Sequence, residues 1–147
     1  MENITEDEKE NLIEEAEKVR GNSFSLYHES SVGAAILTDS GKIFSTPYVE
    51  SAIQGMGTCA ERNAIGSAVA DGEYVFKAVA VISDSEDVIK PCGACLQMLY
   101  EFKAVAEHDI DVIMAGQNAE TEVSTVEELL PTGFTGDYRV DLDRYRD

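Results

Sequence analysis

The run Val75 to Ser83 (VFKAVAVIS) is almost continuously apolar yet far too short to cross a bilayer, so it reads as a strand covered on both faces. A strand of that kind needs packing partners above and below it, which excludes an all-β sheet with one wet face. The chain supplies them. Helical patterns at residues 59–70 and 91–102 flank the run, the second opened by Pro91, and another apolar stretch, Ile110 to Ala115, follows. Strands alternating with helices from residue 59 onward require crossover connections and a partly parallel sheet. Ser31 to Thr38 and Lys42 to Ser45, joined by Asp39-Ser40-Gly41, form an antiparallel hairpin ahead of it.

The ends of the chain are simpler. Thr5 and Glu8 make a capping box, Leu12, Ile13, Ala16 and Val19 share a helical face, and Gly21 lies past the stop. Near the other end, Thr121 to Val123 is a last short strand, and Ser124 or Thr125 caps a helix ending at Pro131. The expectation is an α/β fold around a mixed sheet, in one domain covering 1–147. Residues 135–147 alternate charged and apolar side chains and leave docking and fraying equally open.

Charge narrows the function. Eleven Lys and Arg against 29 Asp and Glu leave a formal net charge of -18 in 147 residues, with no local basic patch. Such a surface repels phosphates, so a nucleic-acid partner is excluded. The first twenty residues contain no apolar signal core and no run is long enough for a membrane anchor, which points to the cytoplasm. Three cysteines form an odd set for a reducing compartment, so a disulfide framework does not explain them.

All three lie at helix starts: Cys59 in GTCAERNAI, Cys92 and Cys95 in KPCGACLQML. The three-residue spacing puts Cys92 and Cys95 on one face of a first turn, where unsatisfied N–H groups and the helix dipole favour thiolate over thiol. If the two helix ends meet at the sheet edge, three soft ligands converge, and sulfur in a near-tetrahedral set selects zinc. Three protein ligands leave the fourth position to solvent, as catalytic sites do. The competing reading is three satisfied thiols, or a structural site closed by a histidine that the fold brings near; both His28 and His108 are remote from the cysteines in sequence.

Glu61 lies two residues beyond Cys59, where a carboxylate can serve as general acid and base. Its plainer role is complementing the helix dipole. Arg62 weighs against that plainer role: three thiolates on a divalent cation leave a negative centre, and an arginine donating to the sulfurs draws off charge. Arg62 stands alone between Arg20 and Arg139.

CAER near residue 60 with PCGAC near residue 93 resembles the cytidine deaminase family, in its small three-cysteine branch. The likeness runs from about Tyr27 to Phe134. Val32, Gly33, Ala34 and Ala35, then Gly41 and Lys42, then Val49, Glu50 and Ala52 follow the family pattern, as do Gln97 and Glu128-Leu129-Leu130-Pro131. The resemblance implies a three-layer α-β-α sandwich with a sheet of about five strands, a core of about 27–134, one Zn²⁺ per subunit held by Cys59, Cys92 and Cys95, and a homotetramer. It also implies that Glu61 moves the protons of hydrolytic deamination. Backbone groups at Ala60, Pro91 and Cys92 read the amidine edge, Glu50 accepts from a ribose hydroxyl, and Phe134 stacks on a base.

The departures fall on the substrate side. Ser30 stands where the family has a phenylalanine against the base, Tyr48 where it has an asparagine on the sugar, and Ser51 replaces that motif's second asparagine. Base stacking is worth on the order of 1–3 kcal/mol and a sugar hydrogen bond about 1 kcal/mol. The expected function is zinc-dependent deamination of a cytidine-like nucleoside or related aminopyrimidine. The alternatives are deamination of a different amino-heterocycle, as in blasticidin deaminases, and an idle zinc-binding subunit.

Overall fold

The computed structural model describes residues 4–118, 120–134 and 142–146. Helix α1 (Glu6–Arg20) begins at Thr5, whose hydroxyl accepts from the Glu8 amide while the Glu8 carboxylate accepts from the Thr5 amide. Strands β1 (Val32–Thr38) and β2 (Ile43–Pro47) form the expected hairpin, with Gly41 in the left-handed region at φ 92°. Helix α2 (Ala60–Ala70), strand β3 (Phe76–Ser83), helix α3 (Gly93–Ala106) and strand β4 (Asp111–Ala115) follow. Strand β5 (Glu122–Thr125) and the short helix α4 (Val126–Leu129) come next, the latter capped by the Thr125 hydroxyl.

The strands make one mixed sheet in the order β2-β1-β3-β4-β5. Only β3 and β4 pair in parallel, Ala78 opposite Asp111 through Ile82 opposite Ala115, and α3 is the crossover between them. The remaining pairs are antiparallel.

Strand pleating divides the core. Ile36, Val79 and Val81 face α2 and α3, where Ala64, Ile65, Ala68 and Leu99 bury against them. Ala35, Ala78 and Ala80 point the other way, onto Leu12 and Ala16 of α1. Small residues on that face let α1 ride close to the sheet: a Cβ on Gly33 would sit 2.0 Å from the Ala16 carbonyl oxygen. The three layers are thus α1, the sheet, and the α2–α3 pair.

Strand and helix ends shift by one or two residues from the sequence reading, the last strand being Glu122–Thr125 and the last helix ending at Leu129, and α3 differs at both of its ends. Pro91 does not open α3: Cys92 keeps an extended backbone (φ -69°, ψ 165°) as the residue preceding the helix, so Pro91 lies one position further out. The helix also runs four residues beyond Phe102, to Ala106, where Glu107 turns left-handed at φ 61°. Of the C-terminal stretch, 142–146 docks on α3: the Arg146 guanidinium donates to the Val105 and Ala104 carbonyls at 2.9 and 3.2 Å. Residues 135–141 and 147 lie outside the described residues.

Candidate active site

The residues that precede α2 and α3 do not cap them. Cys59 (φ -63°, ψ 151°) and Cys92 are extended, but neither sulfur bonds to its own helix, in contrast to Thr5 and Thr125. The thiols turn instead toward one another. Cys59 Sγ lies 3.7 Å from Cys92 Sγ, and Cys92 Sγ lies 3.4 Å from Cys95 Sγ. All three sulfurs fall within 4.8 Å of each other, and among the described residues no other such group of His, Cys, Asp or Glu is found.

Neither histidine closes this group. His28 Nδ1 pairs with the Glu50 carboxylate at 3.0 Å, and His108 Nδ1 donates to the Asp109 carbonyl at 2.8 Å. The donor set also fits zinc by size. Ligands about 2.3 Å from a tetrahedral zinc stand about 3.8 Å apart, close to the separations seen between these sulfurs.

Electrostatics around the thiols are uneven. Hydrogen bonding from Cys95, joined by Arg62 and Cys92 and opposed by burial, draws the Cys59 thiol down to about 5. Cys95 is driven the opposite way by the Cys59 sulfur and by its own burial. Arg62 Nη2 lies 3.8 Å from the Cys59 sulfur. Its Nε is buried with no hydrogen-bond partner.

Glu61 occupies the first turn of α2 and is only 4% exposed. Burial, reinforced by the Cys59 charge, raises its carboxyl above the ordinary range, so it holds a proton more readily than a surface glutamate. Ala60, fully buried at the first helical position, has an amide with no acceptor within its own helix. Pro91 is buried beside the exposed Cys92.

Tyr48, Glu50 and Ser30 belong to a second cluster. Residues 48–50 run alongside 57–59, with the Val49 amide donating to the Thr58 carbonyl at 3.1 Å and the Thr58 amide donating back at 2.8 Å. Burial raises the Tyr48 phenol, and so do the Glu50 and Cys59 charges. Glu50 is 6% exposed. Its carboxylate accepts from the Tyr27 amide at 2.7 Å, from Ser25 Oγ and His28 at 3.0 Å, and from the Tyr48 hydroxyl at 3.4 Å. Burial pushes that carboxyl up, but donation from His28, Tyr27 and Ser25 prevails and holds it below its usual value. Ser30 joins the cluster through its amide, which donates to Ser25 Oγ at 3.1 Å.

Phe134 is 72% exposed, yet its backbone is clamped: Gln97 accepts from its amide at 3.0 Å and donates to its carbonyl at 2.7 Å. Sequence reasoning missed the roles of Ser25 and His28, because nothing in spacing links residues 25–28 to residue 50. It also missed Asn63, whose amide nitrogen donates to the Pro47 and Thr58 carbonyls and fixes the approach to Cys59. A polar residue one turn into a helix whose first turn lacks a capping side chain is the signal that could have found it.

Residues 6–108 match the cytidine and deoxycytidylate deaminase zinc-binding region. A cytidine deaminase of Sporosarcina psychrophila is 38% identical over 126 residues, covering 86% of this chain and 90% of its own. The crystal structure of a cytidine deaminase from Burkholderia pseudomallei superposes with a TM-score of 0.80 at 34% identity, over 89% of this chain and all of its own. Blasticidin-S deaminase of Bacillus cereus is 32% identical over 75% of this chain and 82% of its own. With three sulfurs gathered at two helix starts and a buried glutamate beside them, the chain belongs to the cytidine and deoxycytidylate deaminase family.

Proposed function

We propose that this protein catalyses the hydrolytic deamination of a cytidine-like nucleoside, replacing the exocyclic amine of the pyrimidine by oxygen and releasing ammonia. The observation that carries this reading is the convergence of Cys59, Cys92 and Cys95 with Glu61 buried at the same helix start. Cys59, Cys92 and Cys95 would hold Zn²⁺, which when bound supplies Lewis-acid activation of water.

The protein's own groups do the rest. Glu61, its carboxyl raised by burial, takes a proton from the attacking water, delivers one to the ring nitrogen, and protonates the departing amine. The Ala60 amide, at the first position of α2, and the backbone at Pro91 and Cys92 orient the amidine edge. Arg62, against Cys59 Sγ, offsets the negative charge of the sulfurs. Phe134, with its backbone held by Gln97, offers a ring for stacking on the base.

The chain is proposed to act in the cytoplasm as one domain, 1–147 with its working core at about 27–134, in pyrimidine salvage. None of its described helices is long and apolar enough to cross a membrane. It is also proposed to act as a homo-oligomer, a tetramer. The exposed Phe24, Leu26, Tyr27, Ile53 and Met56 near the substrate cluster support that state, since contiguous exposed apolar side chains mark association surfaces.

A second reading, deamination of a different amino-heterocycle such as blasticidin S, is favoured by Ser30 and Tyr48 and by the self-bonded state of Glu50. Ammonia release by zinc-loaded protein, measured against cytidine, deoxycytidine, cytosine and blasticidin S, separates the two. Release from cytidine supports the first, release from blasticidin S alone the second, and release from none sinks both in favour of an idle zinc subunit.

A further inference from the structure

Outside the sulfur cluster, His28 stands against the buried Glu50 carboxylate. Its ring is 78% exposed while the carboxylate it touches is 3% exposed, so His28 is the outermost member of the group around Glu50. A carboxylate offers about four acceptor positions, and the chain itself directs four donors at this one. Three of them, Ser25 Oγ, His28 Nδ1 and the Tyr48 hydroxyl, crowd one oxygen, Oε2. The other oxygen already accepts from the Tyr27 amide.

The surrounding backbone supports this arrangement. The Phe24 amide donates to the Tyr48 carbonyl at 2.9 Å, and the Glu50 amide donates to the Phe24 carbonyl at 2.7 Å, tying residues 24–30 to residues 48–50. Ser25 accepts from the Ser30 amide while donating to Glu50. Glu29 turns the segment at a left-handed φ of 51°, between His28 and Ser30. Glu50 lies beside Cys59 through the Val49–Thr58 bridge, so whatever covers Glu50 borders the reaction site.

We propose that His28 is a specificity-determining residue: with Tyr48 it covers the Glu50 carboxylate, so the substrate is selected on its aminated ring and not on the hydroxyls of its sugar. This rests on the deaminase reading above and names the substrate class for that site, aminopyrimidines whose substituent carries no required hydroxyl. A substituent arriving at this end of the cleft meets an imidazole and a phenol that already donate to Glu50.

The test compares kcat/KM for cytidine and dideoxycytidine, which lacks both ring hydroxyls of the sugar, on the zinc-loaded native enzyme, His28→Ala, Tyr48→Phe and the double variant. His28 is exposed and Tyr48→Phe removes one oxygen, so the fold is retained. Preference for cytidine within about threefold in the native enzyme, rising to about tenfold or more in the double variant, is expected, because a hydroxyl then reaches a charged acceptor. A native preference of about tenfold, or a ratio unmoved by both substitutions, overturns the proposal. The same ratio read by calorimetric binding of uridine and dideoxyuridine needs no turnover. Binding that follows the expected pattern with no deamination sinks the deaminase reading and leaves this inference standing. Binding of neither compound overturns this inference.

Discussion

Glu61 is placed where burial and a neighbouring thiolate both work against its ionisation, while an ordinary glutamate at a helix start would be exposed and charged. Glu61→Gln keeps the size and the hydrogen-bonding reach of the side chain but cannot exchange a proton. It is expected to leave zinc content unchanged and to lower deamination at least about 100-fold. Steady-state rates alongside metal analysis check this; an unchanged rate removes Glu61 from the chemistry. Arg62→Ala tests the neighbouring charge. Arg62 is one of the groups drawing the Cys59 thiol down to about 5, so in metal-stripped protein the pH at which that thiol becomes alkylable is expected to rise toward the ordinary value. In loaded enzyme the activity optimum is expected to move to more alkaline pH. The metal ligands and Glu61 were legible because spacing along two helix starts fixes their direction. Glu50's partners were not legible, because Ser25 and His28 reach it only through the pairing of residues 24–30 with 48–50.

At the level of the elements, α1 is held by shape on one side and by charge at its start. Gly33→Ala would drive a Cβ to 2.0 Å from the Ala16 carbonyl and 3.1 Å from the Arg20 amide, both backbone atoms that cannot rotate aside. A loss of about 1–3 kcal/mol or more is expected, read by denaturant midpoint at unchanged m-value; a neutral substitution would mean that α1 can slide. Glu8 supplies the charge. The Thr5 amide and the Lys77 ammonium, 3.0 Å away, hold its carboxyl below the ordinary value of 4.5.

A folded-state value below the unfolded one means stability that is present above about pH 4.5 and is lost as pH falls through the lower folded value. Glu8→Gln keeps a capping side chain but not the charge. It is expected to be less stable than native by under about 1 kcal/mol at neutral pH, with the two curves converging in acid. Failure to converge would assign the loss to the cap. Sequence periodicity located all of these elements, but it ended α3 at Phe102. The last turn is sustained by Lys103, which pairs with Glu127 and lies 4.8 Å from the Tyr100 ring centre, and by Arg146 on the final carbonyls. Glu127 and Arg146 come from α4 and from residues 142–146, outside any local window.

Across the whole molecule, the sulfur cluster ties together the starts of two helices that already share one core face of the sheet. Helix α2 follows the hairpin and α3 follows the central strand, and their starts meet where Cys59 and Cys92 each leave their own helix uncapped. A helix start without a capping side chain forgoes about 1 kcal/mol, and two such starts meet at sulfurs gathered within 4.8 Å, a set that could hold a cation. Binding to the native state alone adds RT ln(1 + [L]/Kd), about 2.7 kcal/mol at a hundredfold excess over Kd. Chelation is therefore expected to lower the midpoint of thermal unfolding by several degrees, with recovery on adding zinc and none on adding magnesium, whose preference is for oxygen ligands. Cys92→Ala should abolish most of that recovery. It removes the sulfur that stands 3.7 Å from Cys59 and 3.4 Å from Cys95, yet sits exposed and takes no side chain out of the core. A midpoint indifferent to both chelator and zinc would mean that packing alone brings the helix starts together, and that the cluster contributes nothing to holding the molecule in shape.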